Sequence, residues 1–496
     1  MTEIPPARRI LGSLPRDFRG VLTIWLIGAW TLLMSRAPAD PDLWGHLRFG
    51  RDLLAAGRLT TVDPYSFTSD RPWINHEWLS EALMAAAFNG AGAAGLNLLR
   101  FAVIGLVLLL VWRTSRSVAP RYRSILVALA AVGITLRALP VRPQLFSLLC
   151  FALMLAVLVR TESEGHRRSL LWLPPIFAFW VNVHGGWIVG LGTLALWTVF
   201  SLGRRARAPW ALPAAATASA LATLINPYGV HMWTFIYSTV GFDRPMIGDW
   251  MPIYALPPGF WLGWLVGAGL CVAGWRCRAR IPSRHLAIAA ILGLAAIRVS
   301  RIDAFFCLAA VFLLAPVFPT RGTTVAPAAS APRAMAVVGA LSAVAVAIAT
   351  VMRLPHIEIR PQLMPEAAAV DYVVQQRLVG RFLTWFDWGE FAIWHLADQH
   401  VRVSMDGRRE TVYSDRVVSD HLRFYAATID PGAYARGIAA DYAWLPRDVP
   451  AVRHLIDSGW TPAFSGPISV ILRAPGRAPT PPMVVSRSGP RDFPGP

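Results

Sequence analysis

Apolar residues gather along this chain in long blocks, separated by short loops rich in arginine. The blocks fall at about 20–36, 95–112, 123–139, 144–160, 169–183, 186–202, 209–225, 258–275, 285–299, 303–319 and 333–352. Blocks of this length with few charges predict helices that cross a hydrocarbon layer about 30 Å thick. One further apolar stretch, Glu77–Phe88, carries Glu77 and Glu81. Carboxylates are costly in hydrocarbon, so this stretch predicts an interfacial helix, followed by a hinge at Gly90–Gly95. Beyond Leu354 the apolar runs shorten to strand length. Arg381–Trp385, Val401–Met405, Tyr442–Leu445 and Ile468–Arg473 predict strands; Glu366–Arg377 and Val418–Ala427 predict helices. That alternation predicts a small α/β domain over 355–473. The last segment, 474–496, is rich in Pro, Arg, Ser and Gly and predicts a disordered tail.

Composition and charge agree with this pattern. Hydrophobic residues make up 55% of the 496 and charged residues 15%, against about 25% charged in ordinary soluble domains. The expected fold class is a polytopic α-helical membrane protein with about eleven spans and a small C-terminal α/β domain. The net charge is +18, and every basic residue is arginine. The arginines sit between apolar blocks, which suits membrane orientation and argues against nucleic acid as a partner. With eleven spans one face collects Arg8, Arg9, Arg16, Arg19, Arg113, Arg116, Arg121, Arg123, Arg167, Arg168, Arg204, Arg205, Arg207, Arg276, Arg278, Arg280, Arg284, Arg321 and Arg333. The positive-inside bias makes that face cytoplasmic. The first loop (37–94) and the C-terminal domain then lie outside, as in a multi-pass protein of a bacterial inner membrane. Ala37-Pro38-Ala39 follows a basic segment and an apolar run as a signal-peptidase site would, but cleavage would detach Asp40 from its helix, and an uncleaved anchor is expected. Cys150, Cys271, Cys277 and Cys307 show neither metal-type spacing nor a disulfide framework.

The outward face carries the chemistry. It opens with Asp40-Pro41-Asp42 and continues through His46, Asp63, Asn75, His76, Glu77, Arg142, Asn182, His184, Asn226, His231, Asp243, Arg244, Asp249, Arg298, Arg301 and Asp303. Taken singly, Asp40 reads as a helix cap and each histidine as a structural hydrogen-bonder. His46, His76 and His184 on one face argue for a polar pocket and leave a divalent cation open. Asp42 and His46 stand four apart on a predicted helix and can meet. Asp249, Trp250 and the aromatics near Trp233 suit the wall of a sugar site. No nucleotide-binding glycine motif is present.

Two short motifs resemble a known family. Asp40-Pro41 ahead of an aromatic-bearing helix resembles the first outer loop of oligosaccharyltransferase catalytic subunits. Trp385-Phe386-Asp387-Trp388-Gly389 resembles their Trp-Trp-Asp-Tyr-Gly acceptor motif. With the many-helix body and outer C-terminal domain, the chain resembles integral-membrane glycosyltransferases of the GT-C class. The resemblance implies a polyprenyl-phosphate or pyrophosphate sugar donor and a glycan, lipid or protein acceptor outside the membrane. It further implies an acidic base in the first loop: Asp40, favoured by the motif, or Asp42. The family's second acidic pair is absent from the corresponding loop, Arg137–Pro143, which leaves metal dependence open. Arg142, Arg298 and Arg301, at outer span ends, suit a phosphate; Arg298 and Arg301 equally suit pairing with Asp303. His46, His76, Glu77, His184, Trp385 and Asp387 are pocket or acceptor-site candidates. A transporter or flippase, or a non-catalytic envelope assembly protein, is the alternative from other classes.

Overall fold

The computed structural model describes residues 16–202, 210–240, 250–320, 333–360, 363–487 and 489–496. Arg8, Arg9, Arg204, Arg205, Arg207, Asp243, Arg244, Asp249 and Arg321 lie outside the described residues. The body is helical: α1 (Arg16–Met34), α2 (Leu43–Ala56), α3 (Trp78–Thr114), α4 (Pro120–Ala138), α5 (Gln144–Glu164), α6 (Leu173–Val183), α7 (Trp187–Val199), α8 (Ala211–Ala222), α9 (His231–Val240), α10 (Leu262–Arg276), α11 (Ser283–Arg298), α12 (Asp303–Leu313) and α13 (Arg333–Arg353).

Every apolar block read from the sequence contains a helix, but several are short. At 1.5 Å per residue, the 11 residues of α6 or α12 fall well short of the roughly 20 that cross a bilayer. Among the described residues three helices are long and apolar enough to cross: Trp78–Thr114, Gln144–Glu164 and Pro258–Arg276. Val337, Leu341, Val344, Ile348 and Val351 recur at helical spacing on α13, and all are exposed. A stripe of this kind has no place in water and fits a hydrocarbon surround. This is a membrane protein with a C-terminal sheet region.

The predicted hinge is present. Helix α3 is broken at Ala91 and Gly92, and Gly92 adopts φ 57°, ψ −143°. Only glycine takes that conformation without strain. The break separates an N-terminal arm, where Glu81 sits, from the long apolar rod beyond.

The C-terminal region forms a mixed sheet in the order β4-β3-β5-β7-β6-β8, with β3 (Gly380–Thr384), β4 (Val401–Val403), β5 (Tyr442–Pro446), β6 (Thr461–Ser465), β7 (Ser469–Arg473) and β8 (Met483–Val484). Strand β3 runs parallel to both β4 and β5, whereas β7 is antiparallel to β5 and β6. Helices α14 (Ala367–Gln375), α15 (Gly389–Leu396), α16 (Asp415–Tyr425), α17 (Pro431–Gly437) and α18 (Pro450–Asp457) accompany it.

Two features join this region to the first loop. A second sheet pairs β1 (Ala37–Pro38) with β2 (Ile357–Ile359), and β2 with β9 (Arg491–Asp492). Residues 474–496, expected to be disordered, thus contribute β8 and β9. Phe493 is buried against Trp44, Phe88 and Trp394, and Trp44 donates its indole N–H to the Pro494 carbonyl at 2.7 Å. Composition alone pointed to disorder; a buried aromatic near the end of the segment supplies the anchor that composition does not show. Separately, Ser66 bridges to Val403 at the sheet edge, so the loop covers an edge that would otherwise stay open.

Candidate active site

The first loop, the helix ends and the C-terminal region enclose a cavity of about 1000 Å³. Asp42 lies in its wall. Helix α2 starts at Leu43 with Asp42 as its N-cap residue, yet the Asp42 side chain makes no capping hydrogen bond. Its carboxylate faces the cavity instead. Asp40 is placed differently. Its Oδ2 pairs with Arg142 Nη2 at 2.5 Å, and its Oδ1 accepts the Asp42 backbone N–H at 3.2 Å. Arg142 reaches Asp42 Oδ2 only at 3.5 Å. Burial and the Asp40 charge push Asp42 up to about 6, against the opposing pull of Arg142 and His46.

The His46 ring turns to other carboxylates than Asp42. Its Nδ1 meets Glu81 Oε1 at 3.1 Å and Glu77 Oε2 at 3.9 Å. Burial disfavours the imidazolium, but the Glu81 hydrogen bond and the charges of Glu77, Glu81 and Asp42 prevail and hold it at about 9. Glu81 also accepts from Asn75 Nδ2 at 2.5 Å. Ligand atoms of His46, Glu77 and Glu81 lie within 4.8 Å of one another, a set that can hold a metal ion. The residues fit either a proton or a cation but not both, because a metal-bound imidazole must be deprotonated.

Glu77 lies near two more histidines. Its Oε1 stands 3.5 Å from His76 Nε2 and 3.7 Å from His184 Nε2. Burial raises the Glu77 carboxyl, but His76, His184, His46 and Arg301 outweigh it and hold it below its ordinary value. The tautomer of His184 follows from its partners. Trp180 Nε1 donates to Ser147 Oγ at 2.7 Å, Ser147 Oγ lies 2.7 Å from His184 Nδ1, and the Gly186 N–H donates to that same Nδ1 at 3.0 Å. Nδ1 is therefore an acceptor, and Nε2 carries the proton facing Glu77. Burial pushes His184 down to about 3. His184 is thus a neutral hydrogen-bonder through Nδ1, with its Nε2 turned toward Glu77.

The predicted arginines share the cavity: Arg142, Arg298 and Arg301 all line it. Arg301 lies over the Trp250 ring, 5.3 Å from its centroid, and Trp250 is also in the wall. Asp303 pairs with Arg137, at 3.0 Å, a partner that the sequence did not suggest. Trp233 packs on Trp187 at 4.9 Å and is not among the lining residues.

The Trp385–Gly389 motif contributes only in part. Asp387 lines the cavity beside Phe386. Trp385 does not; it packs on Tyr425 at 4.6 Å, and its backbone N–H donates to the Trp444 carbonyl. The residue after the motif also belongs to the site. Glu390, in the first turn of α15, lines the cavity and is 3% exposed. Arg408 and Arg409, which are not among the residues expected at the site, also line it.

Arg408 explains how the two halves are joined. It donates to Asp63 Oδ1 and Oδ2 at 2.8 and 2.9 Å, and to Asp406 Oδ1 and Oδ2 at 2.9 and 2.7 Å. Tyr413 adds a hydrogen bond to Asp406 at 2.8 Å. The guanidinium lies 4.8–5.3 Å from the ring centres of Phe49, Tyr65 and Trp73. It is buried and satisfied on both sides, so it braces the first loop against the C-terminal region.

No family model matches this sequence, and no curated protein matches it in sequence. Solved structures do match in fold. The oligosaccharyltransferase of Archaeoglobus fulgidus, in its apo form, aligns with TM-score 0.57 over 86% of this chain and 69% of its own, at 11% identity. The same enzyme, AglB, in complex with an inhibitory peptide and a dolichol-phosphate aligns equally well. ArnT from Cupriavidus metallidurans, in the apo state, aligns with TM-score 0.52 over 91% of this chain and 96% of its own, at 14% identity. These are glycosyltransferases of the GT-C class, and the chain has the GT-C fold.

Proposed function

We propose that this protein is a membrane glycosyltransferase that moves a sugar from a polyprenyl-phosphate or pyrophosphate to an acceptor outside the cytoplasm, with Asp42 as the base. The observation that carries this reading is the placement of Asp42: an N-cap carboxylate left uncapped, in the wall of a large cavity that Arg298 and Arg301 also line. A nucleophilic atom of the acceptor attacks the anomeric carbon, and its proton passes to Asp42. The bond from that carbon to the phosphate oxygen breaks, and the leaving phosphate keeps the electron pair. Guanidiniums facing that oxygen stabilise the developing charge. Asp40, committed to Arg142, orients that arginine. This assigns the base to Asp42 rather than to the motif-favoured Asp40.

Orientation follows the arginines. Helix α5 runs from Gln144, in the cavity wall, to Glu164, and α11 runs from Ser283 to Arg298, again in the wall. The cluster Arg276–Arg284 therefore lies at the end away from the cavity. The positive-inside bias puts that end in the cytoplasm and the cavity and C-terminal region outside, in a bacterial inner membrane. The dolichol-phosphate held by AglB supports a lipid-phosphate donor here. A divalent cation at His46, Glu77 and Glu81 would sit beside the cavity and add positive charge near a phosphate.

The test is sugar transfer from polyprenyl-phosphate and pyrophosphate donors by purified protein in nanodiscs. Asp42→Asn keeps the shape but cannot accept a proton, so transfer falls by about 10²–10⁴ while donor binding persists. The base must be ionised, so the wild-type rate declines as pH is lowered through about 6. Wild-type turnover in the Asp42→Asn variant removes the base assignment. Passage of a lipid or glycan across the membrane without transfer would establish the transporter reading instead.

A further inference from the structure

Glu390 stands in the cavity wall with no assigned work. Its side chain comes from the C-terminal region, yet it packs into the first loop. A Cβ placed on Gly45 of α2 would collide with its carboxyl group, and a Cβ placed on Gly407 would collide with both Glu390 Oε1 and Asp42 Oδ1. The two carboxylates therefore crowd the same small space, kept open by a glycine on each side. Glu390 Oε2 is buried and has no hydrogen-bond partner among the described residues. Arg408, a cation whose charge acts on Glu390, is already held on both sides by Asp63 and Asp406. A buried carboxylate in such a place is costly if charged, and two carboxylates in one site do not both ionise.

We propose that Glu390 is a positioning residue of the transfer reaction: a neutral carboxylic acid whose O–H orients Asp42 and leaves Asp42 as the one charged carboxylate of the pair. This rests on the glycosyltransferase reading for its purpose, but the protonation itself does not. The groups facing the pair agree. The charges of Asp40, Arg142, His46 and Asp387 act on Asp42, and those of Asp42, Asp406, Arg408 and Glu81 act on Glu390. Burial and the charges of Asp42 and Asp406 hold the Glu390 carboxyl well above the ordinary range, despite Arg408. During transfer the acceptor proton goes to Asp42, and the Glu390 proton stays where it is.

The experiment has two arms. Infrared spectroscopy of the full-length protein in nanodiscs at pH 7.5, with ¹³C-labelled glutamate, reads the carbonyl stretch of a protonated glutamic acid without any transfer assay. The expected result is one shifted band that disappears in Glu390→Gln. Absence of the band, or its persistence in the Gln variant, overturns the proposal, whether or not the protein transfers sugar. The second arm is the pH–rate profile. Glu390→Gln keeps a neutral donor, so transfer stays within a few-fold of wild type and the acidic limb does not move. Glu390→Leu removes the hydrogen bond to a charged group and lowers kcat by roughly ten- to a hundredfold, with the donor KM unchanged. Were Glu390 ionised, the Gln variant would lose a negative charge beside Asp42, and the acidic limb would move to lower pH. That shift overturns the proposal, as does a Gln variant as impaired as the Leu variant.

Discussion

Replacing Arg408 with methionine tests whether the brace holds the first loop on the C-terminal region. Methionine fills much of the volume among Phe49, Tyr65 and Trp73 but offers no donors. Four guanidinium–carboxylate hydrogen bonds are lost. The side chains of Asp63 and Asp406 are 1% and 0% exposed, so water does not replace them. Removing one partner of a buried ion pair typically costs about 3–5 kcal/mol. At about 1.4 kcal/mol per tenfold, that raises the population of the undocked loop roughly 10²- to 10³-fold or more.

Arg58 precedes the braced segment and is exposed, so trypsin cleavage of the Arg58–Leu59 bond reads this opening, whereas the Arg71–Pro72 bond resists trypsin. When reclosing is faster than cleavage, the cleavage rate follows the open population. In nanodiscs at pH 8 the Met variant should be cut in this loop about two orders of magnitude faster than wild type, with cleavage elsewhere little changed. An uncompensated buried carboxylate is relieved by taking up a proton. The deficit should therefore shrink as the pH falls and grow as it rises. Hydrogen exchange over the loop supplies the low-pH reading, where trypsin is inactive. The double variant Asp63→Asn, Arg408→Met leaves one buried charge fewer and should recover part of the loss. Equal trypsin resistance of wild type and Arg408→Met at pH 8, or a deficit that ignores pH, would refute the brace.

Two further outcomes follow from the cavity. Arg298→Gln and Arg301→Gln should weaken donor binding and slow transfer, measured as KM and kcat with the lipid-linked donor; variants that change neither would remove these residues from the phosphate site. A divalent cation binding at His46, Glu77 and Glu81 must displace the proton of His46, which is held at about 9. Calorimetry with Zn²⁺ or Mn²⁺ at pH 7.5 should then show proton release through buffer-dependent heats, abolished in Glu81→Gln; buffer-independent heats would exclude a cation at this triad.

The features legible in the sequence are those set by residues close together in the chain. Apolar blocks, the hinge before the long rod and the strand–helix alternation after 355 rest on local periodicity, and the helices and strands fall where expected. Hinge placement depended on glycine chemistry, and Gly92 bears it out. The contacts that build the site are long-range. In the sequence Glu81 signals only that its helix stays out of the hydrocarbon, yet it is the partner of His46, 35 residues away. Asp63 and Arg408 meet across 345 residues. Nothing local pairs them, although an Asp-Gly-Arg-Arg run after a strand was a usable signal of a charged turn. The motif suggests Trp385 for the site; it follows the end of β3, and its ring packs on Tyr425 instead. Glu390 lies one residue past the same motif, outside the residues that the motif marks.

Asp40 and Asp42 illustrate why residue type does not decide chemistry. They are two residues apart, and the first-loop motif favours the first. Each is judged by what it already holds. Asp40 spends one oxygen on Arg142 and the other on the Asp42 N–H, so both are already occupied. Asp42 occupies an N-cap, where an aspartate ordinarily bonds the first free N–H groups of its helix, yet its side chain makes no such bond. The positive end of that helix stabilises its charge, whereas burial and Asp40 oppose it. The balance leaves Asp42 ionised near neutral pH but more basic than an ordinary carboxylate, which is the condition a general base requires. Pro41, lacking an N–H, adds no donor of its own between the two. One aspartate can therefore fix the arginine while its neighbour remains available for the proton.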